Sequence, residues 1–146
     1  MASVMRKINM IFRASGVFRS DKLKDLDLRP SQHSYVFAIS RNPGITQDVL
    51  ASKICTNKST VTRQVSNLEK SGYVIRKTNE SDRRAVCLYP TQKMLDALPF
   101  VRSAVKEWNE YLFEDITDVE LEKFNIVLDK LVVRAKKYVD EGESEL

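Results

Sequence analysis

Apolar residues recur at the spacing of an α-helix along most of this chain. Ile8 and Phe12 lie on one apolar stripe within the first 20 residues, which predicts an amphipathic helix there. A shorter helix is predicted over residues 31–40, because Pro30 suits the first helical position and an Asn-Pro-Gly sequence follows the last one.

Two short helices joined by a polar turn are predicted between residues 46 and 71. Thr46 is a residue type that caps helix N-termini, and apolar residues follow it at helical spacing. The second helix places Val61, Val65 and Leu68 on one face, and a glycine suits its C-terminal end. Two helices separated by such a tight turn are typical of a helix-turn-helix.

The apolar period then changes from 3.6 to 2. Residues 73–76 and 85–89 are predicted to be two strands, and residues 77–84 form a polar loop between them. This ribbon, at about 73–89, follows the helix-turn-helix directly. The segment 30–91 is therefore predicted to be a winged-helix DNA-binding core.

The terminal segments, residues 1–20 and 91–140, carry more apolar helix than a small winged helix can cover. The last helix, at about 119–139, has an apolar seam spaced alternately by three and four residues, which favours packing between helices. We therefore expect a homodimer, although these faces could instead complete a monomer core. The predicted dimerisation residues are Ile8, Phe12, Leu121, Phe124, Leu128, Leu131, Ala135 and Tyr138.

The predicted fold is a single domain over residues 1–146. It is mainly α with a small β-wing, and its winged helix-turn-helix domain is flanked by N- and C-terminal dimerisation helices.

Charge is distributed unevenly along the chain. Residues 41–90 contain nine basic and four acidic side chains, whereas residues 91–146 contain eight basic and thirteen acidic ones. A basic middle beside an acidic end suggests that the middle contacts a polyanion. The alternative is an unevenly charged, solvated surface.

The sequence contains few of the residues and motifs that enzymes use. A single histidine, His33, cannot supply a histidine zinc site, and no glycine-rich phosphate motif or GxSxG motif is present. We expect no catalytic activity, no metal and no cofactor. The longest apolar run has five residues, far from the roughly 20 that span a membrane. Two cysteines without a framework pattern make a cytoplasmic location the default.

The predicted second helix has an outward face suited to DNA. Its hydroxyls can bind phosphates or base edges, Arg63 can pair with guanine and Gln64 with adenine. Arginines in the loop can enter a narrow minor groove, where the negative potential is enhanced. The predicted DNA-binding residues are Thr46, Gln47, Lys58, Ser59, Thr60, Thr62, Arg63, Gln64, Lys77, Asp82, Arg83 and Arg84.

Several of these segments together resemble the MarR family of winged-helix transcription regulators. The similar segments are Asn42–Ala51, Lys58–Arg63, Leu68–Tyr73, the Asp82-Arg83-Arg84 wing signature and Leu88–Thr91. The resemblance implies a triangular homodimer with the terminal helices at its base. It also implies recognition helices in major grooves, wings in minor grooves with Arg84 inserted, and an Asp82 that orients the arginines or braces the wing.

The resemblance further implies a repressor of a palindromic operator that releases DNA when a small-molecule effector binds. The effector pocket is expected between the dimer base and the winged helix, lined by some of Phe12, His33, Tyr35, Phe37 and Trp108, although a packed core explains the same residues. An alternative function is a winged-helix module that contacts protein and does not bind DNA.

Overall fold

A computed structural model describes residues 2–142 as six α-helices and one three-stranded antiparallel sheet. Residue 1 and residues 143–146, which the predicted domain includes, lie outside the described residues. The helices are α1 (Ala2–Lys22), α2 (His33–Arg41), α3 (Gln47–Lys53), α4 (Lys58–Lys70), α5 (Gln92–Leu112) and α6 (Asp118–Gly142). The strands are β1 (Ile45–Thr46), β2 (Val74–Thr78) and β3 (Val86–Pro90).

The sheet contains one strand more than the predicted two-stranded ribbon. Its order is β1-β3-β2, and β1 pairs with β3 through the register Ile45 to Leu88. A two-residue strand is too short to show an alternating pattern, so the sequence analysis missed it. β2 also extends to Thr78, which places Lys77 in the strand rather than in the loop. The Lys77 ammonium lies 5.1 Å from the centre of the Tyr89 ring on β3.

The core lies between the helix-turn-helix, β3 and the helices α2 and α5. Val61, Val65 and Leu68 are fully buried, as their spacing predicts, and they fix α4 against the rest of the domain. The Thr46 hydroxyl accepts a hydrogen bond from the N–H of Val49, which confirms the predicted cap of α3. The buried face sets which side of α4 remains exposed.

Candidate nucleic-acid interface

The N-terminal turn of α4 is fixed by a side-chain cap. The Oδ1 atom of Asn57 accepts hydrogen bonds from the backbone N–H of Thr60 and the hydroxyl of Ser59, both at 2.8 Å. This cap satisfies an N–H group that has no partner within the helix. Ser59, Thr62 and Arg63 are exposed, and Thr60 is half-buried. The first two turns of α4 therefore present hydroxyls and one guanidinium to solvent.

Two contacts join α4 to α3 beside this face. The Thr62 hydroxyl oxygen lies 3.3 Å from Oε1 of Gln47 and 3.0 Å from the carbonyl oxygen of Lys58. The Lys58 ammonium lies 3.6 Å from the Asp48 carboxylate. Both partners of the ion pair are exposed, so the pair contributes little to stability. The structure thus brings the predicted residues of α3 and α4 together, with Lys58 beside an acid that the prediction did not include.

Gln64 is half-buried like Thr60, but its side-chain amide is hydrogen-bonded to a residue outside the helix-turn-helix. Its Oε1 atom accepts a hydrogen bond from Nε2 of Gln32 at 3.3 Å. The sequence analysis did not identify Gln32, since the two glutamines are 32 positions apart and no local pattern connects them.

A short network within the loop between β2 and β3 holds the tip of the wing. The Asp82 carboxylate accepts a hydrogen bond from the backbone N–H of Arg84 at 3.0 Å. The Asp82 carbonyl oxygen accepts another from the N–H of Ala85 at 3.0 Å. The carboxylate therefore contacts the backbone, and the side chains of Arg83 and Arg84 are exposed.

Arg63, Arg83 and Arg84 carry the exposed guanidinium groups of α4 and the wing. Within residues 2–142, none of Arg63, Arg83 and Arg84 forms an ion pair. Unpaired positive charges on one face create a potential that attracts a polyanion. The helix-turn-helix of α3 and α4, the β2–β3 wing and this basic surface together define a winged helix-turn-helix protein.

Comparison with known proteins agrees that this is a winged helix-turn-helix protein. Residues 28–86 match the family model described as the MarR family. The uncharacterized HTH-type transcriptional regulator YybA of Bacillus subtilis is 30% identical over 145 residues, which cover 97% of each chain. This chain therefore belongs to the MarR family of transcriptional regulators. The family predicted from the sequence motifs is confirmed.

Solved structures share the fold over nearly the whole chain. A MarR protein from Peptoclostridium difficile gives a TM-score of 0.90 at 27% identity and covers 94% of this chain and 90% of its own. A MarR family transcriptional regulator from Listeria monocytogenes, crystallised with 26mer DNA, gives a TM-score of 0.86 at 28% identity and covers 94% of each chain. The predicted fold, mainly α with a small β-wing, is confirmed.

The family and its relatives are transcriptional regulators and not enzymes, in agreement with the prediction. None of the helices in the described part of the chain is both long enough and apolar enough to cross a membrane. Across residues 2–142, no group of three or more His, Cys, Asp or Glu side chains is arranged to hold a metal ion.

The five residues predicted to line an effector pocket do not meet in one cavity. Phe12 and Trp108 line a cavity of about 620 Å³ between α1, α5 and α6, whereas Phe37 lines a separate groove between α2 and α5. His33 and Tyr35 line neither space, since they are only 1% and 3% exposed. Phe12 and Trp108 of the predicted set therefore share a cavity, whereas α2 turns His33 and Tyr35 into the packed core.

His33 contacts the wall of the 620 Å³ cavity indirectly, through Arg19. An Arg19 N–H lies 3.1 Å from Nδ1 of His33, and the same side chain donates to the Ser15 hydroxyl at 3.1 Å. Because a guanidinium only donates, Nδ1 must accept, so the ring is neutral and its proton sits on Nε2. Burial and the charge of Arg19 lower the pKa of His33 from 6.5 to about 4.

This depressed pKa predicts a loss of stability in mild acid. The unfolded chain binds a proton at His33 below pH 6.5 and the folded chain does so only near pH 4, so stability falls as the pH is lowered through this window. We expect the free energy of unfolding to fall by about 2 kcal/mol between pH 7 and pH 5 from this group. Urea unfolding at both pH values, compared with His33→Gln, measures this difference. An equal pH dependence in the variant would contradict it.

The terminal helices expose large apolar side chains. No residue of α6 is buried among those described, although this helix has 25 residues. Of the predicted dimerisation residues, Phe12 is 65% and Tyr138 is 81% exposed. Ile8, Phe124, Leu131 and Ala135 are also exposed, and only Leu121 and Leu128 are half-buried. The described part of the chain therefore leaves most of the apolar surface of α6 uncovered, although Phe124 and Leu128 line the cavity that α1 and α5 also line.

Proposed function

We propose that this protein is a homodimeric, sequence-specific DNA-binding repressor that recognises a palindromic operator. The α4 helix of each protomer enters a major groove, and the wing places Arg84 in the adjacent minor groove. The observations that carry this proposal are the outward face of α4, where Ser59, Thr62 and Arg63 are exposed, and the exposed wing residues Arg83 and Arg84. Hydroxyls and guanidinium groups are the donors that bind phosphates and base edges.

The exposed faces of α1 and α6 support the homodimer. A second copy covers the apolar side chains of both helices, and a two-fold pair of α4 helices matches a palindrome with half-sites one DNA turn apart. The Listeria monocytogenes relative crystallised with 26mer DNA supports the same mode of action. Bound to a promoter, the dimer excludes RNA polymerase.

The cavity between α1, α5 and α6 supports relief of repression by a small-molecule effector. Its wall is largely apolar, and its polar groups are Ser15, Arg19 and Asn109. A ligand there contacts helices of the proposed dimer base and changes the spacing of the two α4 helices. Trp108, the single tryptophan of the chain, lines this cavity and provides a fluorescence signal for ligand screening.

A gel-shift experiment with DNA from the protein's own upstream region tests the proposed function. With competitor DNA present, we expect a specific shift at nanomolar protein. If the dimer makes six to ten phosphate contacts, affinity should fall by about 10³–10⁵ between 50 and 200 mM salt. Binding that is insensitive to salt, or the absence of a shift with any fragment of a genomic library at low salt, would instead favour the protein-contact module.

A further inference from the structure

A buried glutamine outside the helix-turn-helix contacts the recognition helix. Gln32 ends the 3₁₀ turn Pro30–Gln32 that directly precedes α2, and it is only 5% exposed. A buried amide must satisfy both its oxygen and its nitrogen, or it destabilises the fold. Gln32 satisfies both with identifiable partners.

These partners fix which way each amide points. The Oε1 atom of Gln32 accepts a hydrogen bond from the backbone N–H of Arg29 at 2.9 Å. Because a backbone N–H only donates, the oxygen must face Arg29, and the Nε2 atom must face Gln64. That nitrogen donates to Oε1 of Gln64 at 3.3 Å. The oxygen of Gln64 is therefore turned towards the protein.

Arg19 of α1 contacts the 3₁₀ turn that contains Gln32. Arg19 donates to the carbonyl oxygen of Pro30 at 3.3 Å and contacts Nδ1 of His33 at 3.1 Å. These contacts lie on both sides of Gln32 in the sequence. They fix the turn against α1, so the Gln32 amide is a stationary partner for Gln64.

We propose that Gln32 is a specificity-determining positioning residue for DNA recognition. It orients Gln64 so that only the amide nitrogen projects from α4 towards the major groove. A glutamine that is free to turn pairs with adenine through both its oxygen and its nitrogen. Held by Gln32, the Gln64 amide offers donors alone, which match O6 and N7 of guanine or O4 of thymine. Adenine presents its single acceptor, N7, beside the N6 amino donor, which a Gln64 without a free oxygen cannot accept. This inference rests on the proposed function, because it requires α4 to contact bases.

Selection from a random double-stranded DNA library tests this orientation. The Gln64→Ala variant identifies the base that Gln64 faces, since the preference at that position alone should disappear. At this base the wild-type protein should select guanine or thymine. Gln32→Met has a similar size but no amide, and it should shift the ratio of adenine to guanine or thymine by roughly tenfold.

A second Gln32 variant and a control variant separate a change in base preference from a loss of folding. Gln32→Glu still accepts from Arg29, but towards Gln64 it can only accept, which turns the Gln64 nitrogen inward and its oxygen outward. This variant should move the preference from guanine or thymine to adenine or cytosine, whose amino groups donate. Gln92→Met, at an exposed glutamine on α5, should keep the wild-type preference. Thermal melting establishes that each variant is folded.

Three outcomes would overturn the inference while leaving the proposed function intact. The wild-type protein could select adenine at the base that Gln64 faces, Gln64→Ala could change no position, or both folded Gln32 variants could keep the wild-type preference. If the wild-type protein enriches no sequence, the proposed function itself fails, and the inference fails with it.

Discussion

Replacing both Leu128 and Leu131 with glutamate is expected to convert the protein from a dimer to monomers and to abolish operator binding. Leu131 is 47% exposed and Leu128 is half-buried, and both lie on the apolar seam of α6. A carboxylate buried at an apolar interface without a partner costs several kcal/mol, and a symmetric dimer contains each substitution twice. We expect the dimer dissociation constant to rise by at least about 10³-fold.

Sedimentation equilibrium checks this result against the protomer mass of 16.8 kDa. A matched control is Val133→Glu, which adds a carboxylate to an exposed apolar position on the side of α6 away from Leu128 and Leu131. That variant should remain dimeric and bind operator DNA. A double glutamate variant that is still dimeric at micromolar concentration would show that the seam is not the dimer interface.

The winged helix could be predicted because its determinants are local. The cap residue Thr46 and the apolar spacing of Val61, Val65 and Leu68 lie within the helices that they define, and the structure places them as expected. The short strand β1 has no such local signal. It exists because Ile45 pairs with Leu88, which lies far away in the sequence.

Less of the candidate site could be predicted, because several of its contacts join residues that are far apart in the sequence. Residue type and helical phase identify the outward side chains of α4, but they do not show that Gln64 is held by Gln32. The residues predicted for the effector pocket also depend on packing that the sequence does not show. Aromatic character marks both core and pocket side chains, and only the packing of α2 shows that His33 and Tyr35 belong to the core.

Replacing Arg84 with alanine is expected to weaken operator binding strongly while leaving the dimer intact. The Arg84 side chain is exposed at the wing tip and has no acidic partner among the described residues, so its loss costs no contact within the fold that the structure shows. An arginine in a narrow minor groove gains from the enhanced negative potential there. Because the dimer carries two wings, we expect an affinity loss on the order of 100-fold.

The salt dependence of binding separates a minor-groove role from general surface charge. Arg84→Ala should reduce the slope of log affinity against log salt by about two, one for each wing. Arg84→Lys keeps the positive charge but loses the planar guanidinium group. Compared with Arg84→Ala, it should recover most of the salt slope but less of the affinity for operator DNA. The control Arg102→Ala removes the same charge from an exposed position on α5 and should change neither quantity. If Arg84→Ala binds as tightly as the wild-type protein, the wing does not contact DNA, and specificity must arise from α4 alone.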